Sequence, residues 1–397
     1  MNTILPTPLF RSRLLRTSLL TASAIAFAAP ALAVPVIPGG AGFGMETPAG
    51  RGGTVYKVTN LNESGTGSLG ACVAASGPRV CVFEVSGTIK LTKDLRIKNP
   101  NITIAGQTAP APGIMLRGAG LWVMASHVLI QHIRVRPGDD PAGPDPDNRD
   151  ALVIDSTADK PVTNVVIDHC SFQWAIDETV SAYWNWRDIT FSNNIFGEAL
   201  NQSLHTKGAH GYGPLFGASN TGAVAMVGNL FAHQADRNPL SRAPKLVFVN
   251  NVVYNRKHYD LDLQGGNSKS ENSVVGNVFV RGKDFGNSAV KPIQVGGYTF
   301  PLLSGSSLYV ADNVADGVTS DPWSIVTITK LQQAVSLLRL TSRPAWPKGL
   351  TGLSTSNGQV LNHVLKNAGA RPAQRDTVDA RIVRNVKDRT GQIINCV

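Results

Sequence analysis

The sequence predicts an all-β chain wound as a right-handed parallel β-helix, with short capping and peripheral helices. Three observations predict it. An apolar frame closed by an asparagine recurs five times between residues 189 and 315. No crossover helix is legible between the copies, which argues against a doubly wound α/β sheet. About 360 residues follow an N-terminal leader, more than one compact core usually supports, whereas a stacked repeat has no such ceiling.

The leader comes first. Arg11, Arg13 and Arg16 form a basic start, Thr17 to Pro30 an apolar run too short for a bilayer, and Ala31-Leu32-Ala33 a signal-peptidase site. Residues 1–33 therefore read as a signal peptide, and residues 34–397 as a single β-helix domain exported from the cytoplasm, extracellular or periplasmic. No later segment has the apolar length of a transmembrane helix, so no membrane association is expected. Residues 1–33 contain no acid, so loss of the three arginines lowers the formal charge from +10 to +7. A basic exported chain suits a polyanion. Nucleic acid is disfavoured, because neither a basic helix nor a nucleic-acid-binding motif is present.

Four cysteines are too few for a disulfide scaffold. Cys72 and Cys81 flank a short turn-containing stretch and are expected to pair in an oxidising compartment. Cys170 reads as a small buried hydrophobe, and Cys396 lies at the frayed end.

The repeats span Ile189–Phe196, Val224–Phe231, Leu246–Tyr254, Ser273–Phe279 and Leu308–Ala315. Their asparagines are Asn194, Asn229, Asn251, Asn277 and Asn313, separated by 35, 22, 26 and 36 residues. Val165–Phe172 fits the same frame with Cys170 in the asparagine position; His127–Val135 and Asn101–Gly106 are looser copies. Stacked asparagines form ladders whose amides satisfy buried backbone groups. The long gaps mark coils with extended loops, where function tends to sit. Ser68 to Ala75 is a helical candidate for the N-terminal cap. Ile325 to Leu340, with Leu331, Val335, Leu338 and Leu340 at helical spacing between Pro322 and Pro344, is a second predicted helix. Within residues 315–397 that helix and a charged tail from Leu361 onward are expected to pack on the outside of the barrel.

Four stretches carry candidate chemistry. Arg134–Asp155 is a turn-rich insertion with Asp139, Asp140, Asp145, Asp147, Asp150 and Asp155, an oxygen-rich composition that suits a hard cation. Asp150 begins an alternating strand and should be rigid. Asp177-Glu178 follows 27 residues later, about one coil, so stacking at about 4.8 Å would bring Asp150 and Asp177 together around a shared cation. His205 to Gly213 places His205, Lys207, His210 and Tyr212 in a glycine-rich loop that allows close ligand approach. In Asp236–Arg242, Arg237 and Arg242 flank Pro239, and two fixed guanidinium groups can grip carboxylates.

Taken in chain order these stretches resemble the pectate lyases of the first polysaccharide lyase family, in its secreted bacterial and fungal branch. The resemblance begins at Gly40–Gly44, runs through Gly50–Leu69, Val82–Leu91 and Asn101–Pro110, and continues over VVIDHCSFQWAIDET, HTKGAHGYG and RNPLSR. It implies a parallel β-helix, dependence on Ca2+, and β-elimination of polygalacturonate by a monomer. The arginine of the R-x-P-x-x-R motif that acts as base is here Arg237, and the second, substrate-binding arginine is Arg242. The family's calcium acids map onto Asp150 and Asp177. Two further ligand positions fall on Asn148 and Ser181, neither a carboxylate, which leaves a place for Glu178. Lys207 is the nearest match to a substrate-binding lysine, and His205 and His210 are taken as substrate contacts beside it. Gly70 departs from the arginine often found there.

The chemistry explains these residue types. The proton to be removed sits on the carbon bearing the uronate carboxylate, and its loss puts charge on that carboxylate, which cations stabilise. Arginine is an awkward base, because its free pKa lies far above neutral. Burial and neighbouring cations favour its neutral form, and alkaline pH helps. Two other readings remain open at this point: a β-helical polygalacturonase using paired acids, and a non-catalytic β-helix that binds acidic glycans.

Overall fold

The computed structural model describes residues 1–3, 34–286, 290–297, 299–316 and 321–397; the predicted leader lies outside the described residues apart from its first three. Residues 34–397 form one compact unit. Its strands build three sheets of 11, 9 and 9 strands in which every pairing is parallel. The coil containing Val162–Asp168, Ser171–Gln173 and Val180–Tyr183 contributes one strand to each sheet in turn. That repeat, continued coil after coil, is the parallel β-helix.

The recurrent asparagine marks the tight corner between the first two strands of a coil. The residue before it adopts left-handed backbone in every copy: His169, Asn193, Gly228, Asn250, Gly276 and Asp312 have φ between 50° and 69°. Only glycine and short polar residues visit that region readily, which is why the frame ends as it does. The asparagines then stack. Asn229 accepts the Asn194 backbone N–H at 2.9 Å, donates to the Phe191 carbonyl at 3.0 Å, and passes its other amide hydrogen to Asn251 at 2.9 Å. The ladder runs from Asn194 to Asn313, and its first carboxamide accepts the Cys170 N–H at 2.8 Å. Cys170 thus ends the ladder, where no further amide is required.

Inside the barrel Phe172, Phe196 and Phe231 stack with centroids 5.7 and 5.0 Å apart. The N-terminal end is closed by helix Leu69–Ala74, capped by the Ser68 hydroxyl, which accepts the Ala71 N–H at 3.1 Å. Cys72 on that helix is bonded to Cys81 on the first coil, with Cα atoms 5.9 Å apart. The buried Arg79 donates to the Cys72 and Val73 carbonyls at 2.8 and 2.9 Å, satisfying acceptors the helix end leaves open.

The predicted helix at 325–340 does not form. Val326–Ile328 extends one nine-stranded sheet and Leu337–Arg339 the eleven-stranded sheet, with one helical turn, Lys330–Gln333, between them. The helical spacing of its leucines misled because Leu331 and Leu338 are exposed. The β-branched run Val326 to Thr329 beside an open sheet edge decides the conformation instead. The peripheral helices lie further on, at Gln359–Asn367 and Thr377–Asp388, inside the segment expected to be a charged tail. Val360, Val364, Ile382 and Val386 pack on Ile195, Leu230, Val252 and Tyr254, the outer face of the sheet that contains Ser171–Gln173. Buried Arg134 and Arg136 clamp this layer through Asp376 and Asp379.

Candidate active site

Sequence insertions concentrate on the connection from the Ser171–Gln173 type of strand to the Val180–Tyr183 type, so functional loops stack on one face. Four consecutive loops supply the site: residues 137–151, 174–179, 198–214 and 233–239. Leu152 pairs with Val180, which sets Asp150 beside Glu178, and the bridge series Glu178, Tyr212, Asp236 carries the register across two more coils.

Asp150 is buried; its carboxylate accepts the Glu178 backbone N–H at 3.0 Å and the Ser181 hydroxyl. Burial, reinforced by Asp177, pushes the Asp150 carboxyl well above its ordinary range, with the Ser181 hydrogen bond opposing. Acceptor atoms of Asp150, Asp177 and Glu178 lie within 4.8 Å of one another. Three carboxylates so close repel unless a cation or proton sits among them, and their hard oxygens fit a divalent metal. Ser181, and Asn148 at the rim, face the same cleft of about 210 Å³. Asn148 is exposed and donates its amide to Asp145 at 2.8 Å.

The protein's own cations also converge here. Arg237 ion-pairs with Glu178 through Nη1, and its guanidinium lies 4.4 Å from the centre of the Tyr212 ring. Burial lowers the Arg237 pKa to about 10, with Arg242 adding to the effect and Asp177 and Asp150 opposing it. His210 Nε2 lies 2.7 Å from Asp177 Oδ1, and the His205 and His210 rings stack at 3.8 Å. His210 is therefore engaged by Asp177, whereas His205 lies 3.4 Å from Asp147 through Nδ1 and 3.5 Å from Asp177 through Nε2, which has no hydrogen-bond partner among the described residues. Lys207 is exposed; its backbone N–H donates to His205 Nδ1 at 3.1 Å. Arg242 reaches the same face from the next strand, its Nε and Nη2 donating to Gln264 Oε1 at 3.1 and 2.9 Å.

Comparison with known proteins identifies the family. No protein-family model matches the chain. The probable pectate lyase C of Aspergillus flavus is 32% identical over 354 residues, covering 88% of this chain and 77% of that protein. The chain belongs to the pectate lyase family. Its Aspergillus fumigatus relative of the same name is 31% identical over 360 residues, covering 88% of this chain and 76% of that one. Among solved structures, a Bacillus subtilis pectate lyase aligns over 87% of this chain and 100% of its own, with TM-score 0.56 and 16% identity. The cedar pollen allergen Jun a 1 aligns over 83% and 92%, with TM-score 0.54 and 18% identity. At those identities the structures speak for the shared β-helix alone.

The serine at 181 is a hydrogen-bond donor to Asp150, and Glu178 lies beside the Asp150 and Asp177 carboxylates. Sequence reasoning missed the frame around Arg242. Gln264 is held by donating to Asp262 at 2.7 Å, and the Phe300 ring lies 4.0 Å from the Arg242 guanidinium. A period-two reading of the strands could have found Gln264, because Tyr183, Arg242 and Gln264 each sit two residues beyond a paired position. A second acid–histidine group, His132, Asp168 and His169, lies at a coil corner. Its Asp168 accepts from His169, Gln131 and Ser192 at 2.8, 3.0 and 2.7 Å, so the hydrogen bonds of the corner already occupy its oxygens.

Proposed function

We propose that this pectate lyase family member cleaves polygalacturonate by β-elimination, with Arg237 removing the proton next to the uronate carboxylate and Arg242 holding that carboxylate. The observation that carries the reading is the position of the Arg237 guanidinium against the Asp150, Asp177 and Glu178 carboxylates. The oxygens of those three residues, with Ser181 and Asn148, would hold a Ca2+ ion. When bound, that ion supplies positive charge for the substrate carboxylate.

Arg237 removes the proton only in its neutral form, and its burial works toward that form. The ion pair with Glu178 has to give way for the guanidinium to face substrate. Arg242, fixed by Gln264 through two of its N–H groups, keeps its remaining donors for a carboxylate. The electron pair left on carbon drives out the glycosidic oxygen of the next carbon and leaves an unsaturated sugar end. His210 and His205 act on substrate only through Asp177, and Lys207 meets it only at the rim. A hydrolase reading has less support, because paired hydrolytic acids stand at least about 5 Å apart to admit a sugar or water. Here the acids crowd more closely and one is ion-paired. Export by the leader and action as a monomer complete the reading; no described helix is long and apolar enough to cross a membrane.

The test is a calcium-titrated ultraviolet assay on polygalacturonate beside its methyl ester. Appearance of unsaturated product that vanishes with chelator is expected. Release of saturated sugars only would overturn the lyase reading, and binding without turnover at every pH would favour a glycan-binding role.

A further inference from the structure

Trp184 stands out beside the carboxylate cleft. It is 69% exposed, yet its backbone is held in the left-handed region at φ 72°, which a bulky residue seldom adopts. The turn is anchored on both sides. The buried Ser156 hydroxyl donates to the Tyr183 carbonyl at 2.6 Å, and the Asn185 amide donates to the Ala158 carbonyl at 3.1 Å. Trp174, which shares this backbone, is engaged by Glu198 at 3.2 Å and by Arg117 and Arg136 over its ring. Among the described residues the Trp184 indole has no hydrogen bond, ring pair or cation over it. A rigid turn therefore presents an unused aromatic face to solvent at the mouth of the cleft that Asp150, Asp177 and Trp122 also line.

Trp122 lies two coils toward the N-terminal end, in the file Trp122, Val153, Ser181, so its coil is offset from that of Trp184 by about 10 Å along the barrel axis at one coil per about 4.8 Å. The Arg96 guanidinium stacks 4.4 Å from the Trp122 ring centre and is half exposed; it meets Asp94 at 3.3 Å and also stabilises the charged form of Asp155. A pyranose ring has an apolar C–H face that packs on an aromatic surface, and an indole adds an N–H for a hydroxyl. A uronate carboxylate on this face would compete with Asp94 and Asp155 for the Arg96 guanidinium.

Building on the proposed lyase reading, we propose that Trp184, with Trp122 and Arg96, forms a sugar subsite on the N-terminal flank of this cleft that grips a galacturonate unit of the polymer beside the reacting bond. Longer substrates then bind more tightly than short ones through contacts that take no part in the chemistry.

Trp184→Ala and Trp184→Phe, at an exposed position that leaves the core untouched, test this. On polygalacturonate the alanine variant should raise KM about five- to tenfold with kcat within twofold of wild type, and phenylalanine should restore most of the loss. Trigalacturonate, which fills fewer positions along the cleft, should show a smaller rise in KM than the polymer. A polymer KM within twofold of wild type for Trp184→Ala overturns the subsite, as does an equal loss on trimer and polymer that phenylalanine does not restore. Affinity electrophoresis through polygalacturonate reads binding without turnover. Should wild type form no unsaturated product, the lyase reading falls, and retardation lost in Trp184→Ala still upholds the subsite, while unchanged retardation overturns it.

Discussion

The Arg237 guanidinium lies between the Glu178 carboxylate, with which it ion-pairs, and the face of the Tyr212 ring 4.4 Å away. These three residues come from three consecutive coils, so the register of the solenoid, and no local sequence feature, aims the proposed base.

Arg237→Ala should lower kcat on polygalacturonate about 10²- to 10⁴-fold, the usual worth of a positioned base, while affinity electrophoresis still shows polymer binding. Burial holds the wild-type group near a pKa of about 10, below the ordinary arginine value. The neutral, active fraction therefore grows with pH, and the wild-type rate should climb up to about tenfold per pH unit through the alkaline range below that value. A flat profile between neutral and alkaline pH, after correction for stability, would remove Arg237 from the role.

Asp150→Asn addresses the metal. In wild type, Ca2+ at a hundred times its dissociation constant should add about 2.7 kcal/mol to unfolding stability, and the variant should lose most of that increment. In chelator the order should reverse or level, since the neutral amide keeps the size of the carboxylate without the repulsion from Asp177. Calcium-dependent thermal shifts of both proteins measure this. Equal shifts in the two would place the ion elsewhere.

The asparagine ladder predicts a graded stability effect. Asn229→Ala strips buried partners from the Asn194 N–H and the Phe191 carbonyl, and should cost about 3 kcal/mol. Asn313→Ala, at the partly exposed end of the ladder, should cost about 1 kcal/mol, because water replaces what is lost. Urea unfolding midpoints decide between this gradient and uniform losses.

His233 makes the fold acid-sensitive. Burial lowers its pKa from 6.5 to about 4, outweighing Glu198 and Asp284. Between those values the unfolded chain takes up a proton that the folded chain refuses, so stability falls as pH drops from about 6.5 toward 4 and levels off below. The contribution is at most about 3 kcal/mol. His233→Gln, which like neutral histidine offers one acceptor and a donor toward Asn255 and Asn385, should flatten that part of the stability profile measured in urea.

Much of the barrel was legible because its code is local. The corner asparagine, the left-handed residue before it, the alternating apolar strand and the cap at Ser68 each need only neighbours in sequence. Asp150 and Asp177 were likewise within reach, since one coil of chain separates them. The helix expected at 325–340 failed for the opposite reason: its leucines had the right spacing, but an unpaired sheet edge at Ser306–Leu308 offered its backbone a better partner. The C-terminal helices were missed because their apolar faces are narrow and their charges, as at Asp376 and Asp379, turn inward to Arg134 and Arg136.

The sequence alone determined the β-helix, its ladder and the set of loops that carry charge, and made the Cys72–Cys81 bond an expectation that the structure bears out. Only the tertiary structure decided which side chains meet: Glu178 with Arg237, Asp177 with His210, Arg242 with Gln264, and Trp184 with no ring or cation among the described residues. A parallel stack pairs residues across separations that loop length sets and side-chain spacing cannot reveal. Partners on successive coils become neighbours only after the backbone hydrogen bonds have fixed the register.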